Sequence, residues 1–208
     1  HSRKVISGEV ARLDRQMIRV DESIDEELKK EVESFVISAG RTLKEGMQKF
    51  VAEAEIDIKF LFQKTSKYEA GLETLEVTDR PLANYLRQTR ISWSERLQKT
   101  RNDIEHEGWI LPRIAYSRAN GKVIANQPFI AGQPVTEFVA FLLDRLVCFV
   151  EELTVHCIQK QVPRGVTITE IALSKRLGDP PERFRPTVLI GGEKQWEIAY
   201  HTSMFEET

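Results

Sequence analysis

The stretch ISWSERLQKTRNDIEHEGWILP, residues 91 to 112, decides how this chain is read. Trp93, Leu97 and Ile104 fall at helical spacing and continue a stripe that starts at Leu82 and Leu86, with Ala83 and Tyr85 beside it. Thr78-Asp79-Arg80-Pro81 supplies a start, because a capping carboxylate followed by proline near the first helical position is a common N-terminal pattern. Gly108 and Pro112 supply the end. The spacing therefore predicts one helix from about residue 80 to the Arg101-Asn102-Asp103-Ile104-Glu105-His106 segment, which lies in its last two turns or just beyond them.

Working back toward the N-terminus, residues 64 to 78 lose the period and contain Gly71, which reads as a connection with at most a short helix. Before it lies a long apolar stripe of Ile24, Leu28, Val32, Phe35, Ala39, Leu43, Met47, Phe50, Ala54, Ile58 and Leu61. Its steps of three and four predict a helix of about ten turns or two nearly collinear ones, capped within Asp21-Glu22-Ser23. Gly40 and Gly46 are the expected kink points, since glycine costs about 1 kcal/mol relative to alanine inside a helix. Residues 1 to 20 read as a polar, poorly fixed arm; the chain opens His1-Ser2 without a methionine, and His1 is given no function.

Working forward, Ile114 and Tyr116 alternate with small residues, Asn120-Gly121 is a favoured two-residue turn, and Val123-Ile124 resumes the apolar run, so a hairpin is expected over about 113 to 126. After a turn-rich stretch from Pro128 to Pro134, Thr136 is positioned to cap a strongly apolar helix running through Phe138, Leu142, Leu146, Val150 and Ile158. Pro163-Arg164-Gly165 ends it. Beyond lies a short α+β appendage in which Thr187 to Ile190 and the alternating Trp196, Ile198 and Tyr200 are expected to form a second hairpin across a Gly191-Gly192 turn. Two strands are marginal alone, so they are expected to pack on the helices. The organisation predicted is a mainly α helical bundle with long antiparallel helices over residues 21 to 162, with an N-terminal arm at 1 to 20 and the appendage at 163 to 208.

Composition narrows the function classes. At 208 residues, 41% hydrophobic and 30% charged, the chain can bury one good core and is too apolar to be disordered. No stretch approaches the roughly 20 apolar residues of a membrane span, and a cytoplasmic, soluble protein is expected. Cys148 and Cys157 fall nine residues apart on one predicted helix, roughly 13 Å apart, too far for a disulfide. They read as reduced packing residues. His156 and Cys157 are adjacent, but neighbours on a helix diverge by about 100°, so neither a metal nor any other cofactor is expected.

Charge is unevenly divided. Residues 21 to 60 carry eleven acids against six bases, whereas residues 80 to 101 carry Arg80, Arg87, Arg90, Arg96, Lys99 and Arg101 against Glu95 alone, locally +5. A stripe of that kind suits a polyanion; a solvated helix face looks the same. At its end stand a guanidinium, an amide and an imidazole. Asn102 and His106, four apart, share a helix face, while Arg101 and His106, five apart, stand about 140° from each other around the helix. One helix cannot close the arginine and histidine tightly round a phosphate. A two-fold axis could set each arginine opposite a partner copy's histidine.

In such a site His106 is the candidate general acid or base, Arg101 the phosphate clamp and Asn102 the group that orients the histidine or caps the helix. Glu105 and Glu107 can tune His106 or repel phosphate. Trp109, Arg90 and Lys99 are candidate RNA contacts near the motif, and Arg183 and Arg185, flanking Phe184, are candidates in the appendage. The plainer reading makes His106 a residue favoured by the helix dipole and Arg101 an ion-pair partner of Glu105 at i,i+4. Trp109 then belongs to the core, and the appendage cations to a solvated edge.

Arg101-Asn102-xxx-His106 at the end of a helix in a mostly helical chain resembles the RNxxxH signature of HEPN (higher eukaryotes and prokaryotes nucleotide-binding) domains. The resemblance implies a helical bundle over residues 21 to 160, a homodimer that pairs two motifs, and, in active members, metal-independent endoribonuclease activity within toxin-antitoxin or antiviral defence systems, with an antitoxin or regulatory protein as a further partner. It carries over to Arg101, Asn102 and His106. A non-catalytic HEPN-like module that binds RNA, a nucleotide or a protein is the alternative.

Overall fold

The computed structural model describes residues 11–14, 17–20, 23–63, 65–120, 122–178, 182–190 and 195–200. They are mainly helical, with four two-stranded antiparallel hairpins. No helix among them is long and apolar enough to cross a membrane. Two compact units are present, residues 1–40 with 99–142 and residues 41–98 with 143–208.

In the first unit, helix α1 (Ser23–Arg41) has Asp25 and Glu26 in its first turn and Arg41 in its last, charges that complement the helix dipole. Its buried residues are Ile24, Val32, Val36, Ala39 and Gly40. Before it, β1 (Ala11–Asp14) and β2 (Met17–Val20) pair antiparallel, where the sequence had suggested only a loose arm.

The expected hairpin is β3 (Ala115–Ala119) against β4 (Lys122–Asn126), in register Ala119 with Lys122. Asn120 adopts φ 52, as the first position of an Asn-Gly turn requires. Ile114 and Ile24 are buried together, with Leu28, Tyr116 and Ala125 packed on them, and the Ile114 N–H donates to Asp25 Oδ1 at 3.0 Å. The turn-rich stretch forms a small hairpin, β5 (Phe129–Ile130) with β6 (Gln133–Pro134), closed by Ala131 and Gly132 at φ 50 and 81. Helix α6 (Val135–Gln161) follows at once. Thr136 is not its cap: the helix starts one residue earlier, and the Gln127 side chain accepts from both the Thr136 N–H (3.1 Å) and its hydroxyl (2.8 Å).

In the second unit the long N-terminal stripe continues through a π-helical turn, Thr42–Met47, into α2 (Gln48–Glu53). The glycine expected to kink the helix, Gly46, lies in that turn, and the extra residue of a π turn shifts the buried face enough to keep Leu43, Met47 and Val51 inside. The helix ends at Glu53, with Glu55 at φ 59. Ile58 and Leu61 are buried, as their periodicity suggested, but lie beyond the helix, Leu61 in a 3₁₀ turn, Lys59–Phe62.

The stretch 64 to 78, expected to be a connection with a possible short helix, carries a helix along nearly its whole length, α3 (Thr65–Thr78). Tyr68 and Leu72 bury one turn apart, and Gly71 is what lets Phe60 lie against the helix: a Cβ there would meet Phe60 Cγ at 2.2 Å. One residue, Asp79, separates α3 from α4 (Arg80–Thr89), which it caps through Leu82 N–H at 3.2 Å. A second π-helical turn, Arg90–Ser94, leads into α5 (Glu95–His106). Trp93 and Phe149 meet edge to face at 6.0 Å, and Tyr85 stacks on Phe149 at 6.0 Å. Fully burying side chains of this size contributes roughly 1.5 to 3 kcal/mol each.

The C-terminal strands pair differently from the expectation. β7 (Val166–Glu170) pairs with β8 (Phe184–Val188), not the 187–190 stretch with 196–200. Residues 195–200 carry no strand; Trp196 N–H donates to the Thr167 hydroxyl at 2.9 Å, and that hydroxyl donates to Gln159 Oε1 at 3.0 Å. Gln159 also accepts from Ile168 N–H, so a buried amide on α6 fixes where β7 lies. The Gly191-Gly192 turn falls outside the described residues. Cys148 and Cys157 are buried free thiols, as expected, and burial pushes the Cys148 thiol up to about 11.

Candidate functional site

Arg101, Asn102, Glu105 and His106 occupy the last turns of α5, within the first unit. The chain leaves that helix through Gly108, whose φ of +65 suits glycine, while Glu107 N–H and Trp109 N–H both donate to Asp103 O, at 3.0 and 3.3 Å. This tight exit leaves the final turn open to solvent. His106 has 73% of its side chain exposed, and Asn102, one turn earlier on the same face, is exposed as well. Helix geometry makes those two neighbours, as the four-residue spacing predicts.

Arg101 is placed differently. Its side chain lies along Gly40 of α1, where a Cβ would fall 2.6 Å from Arg101 Cδ. Gly40 is thus the seat of the arginine. The Arg101 Nε is buried and has no hydrogen-bond partner among the described residues. At the other end of the guanidinium, Nη2 meets Glu105 at 2.9 Å to Oε2 and 3.1 Å to Oε1. His106 Nε2 stands 3.9 Å from Glu105 Oε2. One carboxylate therefore lies between the two cationic candidates, occupying the guanidinium edge that an external anion would use.

The accessory candidates separate into two groups. Lys99 and Arg185 are exposed, and Trp109 is half-buried. Arg90 lies 4.0 Å over the Tyr68 ring, within 3.5 Å of Gln63 O and 3.6 Å of Glu95 Oε1, with 12% of its side chain exposed. Burial outweighs this cation and pushes the Tyr68 hydroxyl up to about 12. Arg183 is buried, against the expectation of a solvated edge or an RNA contact. It meets Glu152 at 2.5 Å, Glu170 at 2.9 Å and Glu151 at 3.3 Å, and lies 4.9 Å over the Phe184 ring. Burial alone would favour its neutral form, and Glu152 above all reverses that, so its charge is locked in. Such a residue is a structural tie between α6, β7 and β8.

A second constellation has no counterpart in local sequence patterns. Asp79, the cap of α4, receives His156 Nε2 at 2.7 Å and Lys160 Nζ at 2.5 Å on the same oxygen. Burial would raise the Asp79 pKa, but the bonds from His156 and Lys160 hold the carboxyl well below its usual range. Thr74, Thr78, Asp57 and Phe60 line an open cavity of about 520 Å³ beside it. Asp79 was legible as a cap; its partners, 77 and 81 residues away, were not. No group of three or more His, Cys, Asp or Glu side chains among the described residues is placed to hold a metal ion. Comparison with protein-family models, curated proteins and solved structures finds no match.

Proposed function

We propose that the chain is a HEPN-type, metal-independent endoribonuclease that works as a homodimer, with Arg101, Asn102 and His106 from two copies forming one composite site. The observation that carries this reading is the contrast within a single helix end: an imidazole 73% exposed beside an exposed amide, and one turn back a guanidinium seated on a glycine. A histidine in that setting can take the proton of a ribose 2′-hydroxyl as its oxygen attacks phosphorus, and a second histidine can protonate the departing 5′-oxygen. Arg101 would stabilise the charge that builds on the non-bridging oxygens. Its fork of donors suits that role once Glu105 swings away. Toxin-antitoxin or antiviral defence is the setting this activity would serve.

The contact between Arg101 and Glu105 favours a second reading, a non-catalytic module that binds RNA, a nucleotide or a protein partner, because an engaged guanidinium is the arrangement a purely structural i,i+4 pair would adopt. Cleavage of mixed RNA in the presence of EDTA by the wild-type protein, His106→Ala and Arg101→Ala separates the two. The nuclease reading expects wild-type cleavage that falls at least about a hundredfold in each variant. Cleavage that survives both substitutions would falsify the assignment of these residues, and salt-dependent binding without cleavage supports the module.

A further inference from the structure

We infer that the β3–β4 hairpin is a docking arm for single-stranded RNA, an inference that rests on the RNA-directed reading of the first unit but not on cleavage. Residues 108 to 136 contain Arg113, Arg118 and Lys122 and no aspartate or glutamate, in a chain with 32 acids over 208 residues and a net charge of -2. About four acids would fall in a stretch of that length at the chain's average. The hairpin itself, residues 115 to 126, is +2.

The placement of those charges matters more than their number. Tyr116 and its cross-strand partner Ala125 pack on the Ile24–Ile114 cluster, which fixes one face of the ribbon against α1. Strand alternation then turns Ala115, Ser117, Ala119, Lys122, Ile124 and Asn126 to the opposite face, and all six are exposed. Ala115, Ser117 and Ala119, all small, line one strand of that face, leaving it flat enough for an extended backbone to lie along it. Arg118, paired with Val123, belongs to the other face and is exposed at the tip, so it and Lys122 flank the tip from its two sides, and neither has an ion pair among the described residues.

The contrast with the other cations is the second support. Arg90 and Arg183 are held by carboxylates, aromatic rings or carbonyl groups inside the second unit, whereas Arg118 and Lys122 are exposed on a ribbon that gives the core little beyond its base. Phe129, 58% exposed three residues after β4, offers a ring on which a base can stack. A polyanion with planar bases matches this combination. An anionic membrane fits less well, because Ile124 is the single large apolar residue on the open face.

The test uses the full chain and a 2′-O-methyl RNA oligonucleotide, which lacks the attacking hydroxyl, with affinity read by anisotropy across a salt series. Arg118→Ala with Lys122→Ala should weaken binding several-fold and lower the slope of log affinity against log salt by about 1.4, near 0.7 for each lost phosphate contact on a single strand. The conservative pair Arg118→Lys with Lys122→Arg should keep the wild-type slope, and circular dichroism should show an unchanged helix content for both. A slope that the alanine pair leaves unchanged overturns the proposal, as does wild-type protein that binds phosphatidylserine vesicles but not the oligonucleotide. Arg101→Ala with His106→Ala, run alongside on cleavable RNA, tests the catalytic reading separately: loss of the hairpin effect alone refutes the arm, and absence of cleavage alone refutes the nuclease.

Discussion

Two charged clusters in this protein use the same residue types to opposite ends. Around Arg183 in the second unit, a guanidinium with 2% of its side chain exposed meets three carboxylates, and its charge is fully answered. Around Arg101 in the first, a guanidinium with 23% exposed meets one carboxylate, keeps a buried Nε without a partner among the described residues, and has a solvent-facing histidine five residues on. A buried charge must be saturated because desolvation costs several kcal/mol per ion. A cluster left incomplete at the surface retains the capacity to bind something else. Saturation, more than charge, distinguishes a tie in the fold from a candidate site.

That distinction is most easily broken at Arg183. Arg183→Ala leaves Glu152 buried beside two further carboxylates, and the expected loss of stability is about 3 to 5 kcal/mol, read as a lower urea midpoint. A loss below 1 kcal/mol would place Arg183 with the dispensable surface pairs. Affinity for RNA per folded molecule should not change.

Asp79 gives the next largest effect and adds a pH signature. Asp79→Asn removes the charge that receives His156 and Lys160, at an expected cost of about 2 kcal/mol. The folded carboxyl is held below its usual range, so its contribution is fully present above the ordinary carboxylate pKa and is lost as pH falls below it. Wild-type stability should therefore drop more steeply than that of Asp79→Asn between about pH 5 and pH 2. Parallel urea midpoints across that range would show that the cluster is not what holds the carboxyl ionised.

The same contrast explains what the sequence could and could not disclose. The Asn120-Gly121 hairpin, the Asp79 cap and the stripe from Leu82 to Leu97 are local patterns, and each was legible. So was the i,i+4 pairing of Arg101 with Glu105. The length of helix α3 was missed because only Tyr68 and Leu72 are buried on it, too short a stripe to outweigh Gly71, which lies against Phe60. The pairing of β7 with β8 was missed because a buried amide on α6, Gln159, selects the strand position, and no spacing announces that. Arg183 looked like a surface cation for the same reason: its three carboxylates come from residues 13 to 32 positions away. That Gly40 seats Arg101 was not legible, because the residue it meets is 61 positions away.

Gly40→Ala sharpens the comparison from the side of the arginine's seat. Alanine gains about 1 kcal/mol of helix propensity over glycine, while its methyl would meet Arg101 Cδ at 2.6 Å and push the side chain off α1. The two effects oppose each other, so net stability should stay within about 1 kcal/mol of wild type. RNA affinity should fall, because the guanidinium moves. If affinity is untouched while Arg101→Ala abolishes it, the seat on Gly40 does not set the position of the guanidinium.

The smallest change in stability is expected at Glu105. A partly exposed i,i+4 pair contributes roughly 0.3 to 0.5 kcal/mol, so Glu105→Gln should barely move the urea midpoint. Its effect on binding should have the opposite sign to that of Gly40→Ala. Glu105 holds the Arg101 Nη2 edge at 2.9 and 3.1 Å and stands 3.9 Å from His106 Nε2. A phosphate must displace it, and the neutral amide competes less well for a guanidinium. RNA affinity should rise about threefold to tenfold, or ~0.7 to 1.4 kcal/mol. Glu107→Gln provides the control, since Glu107 is exposed one residue beyond the helix and removes the same charge without touching Arg101. Equal gains from both variants would mean that Glu105 acts only through net charge. A gain confined to Glu105→Gln would identify the ion pair as the feature that keeps this incomplete cluster closed until an anion arrives.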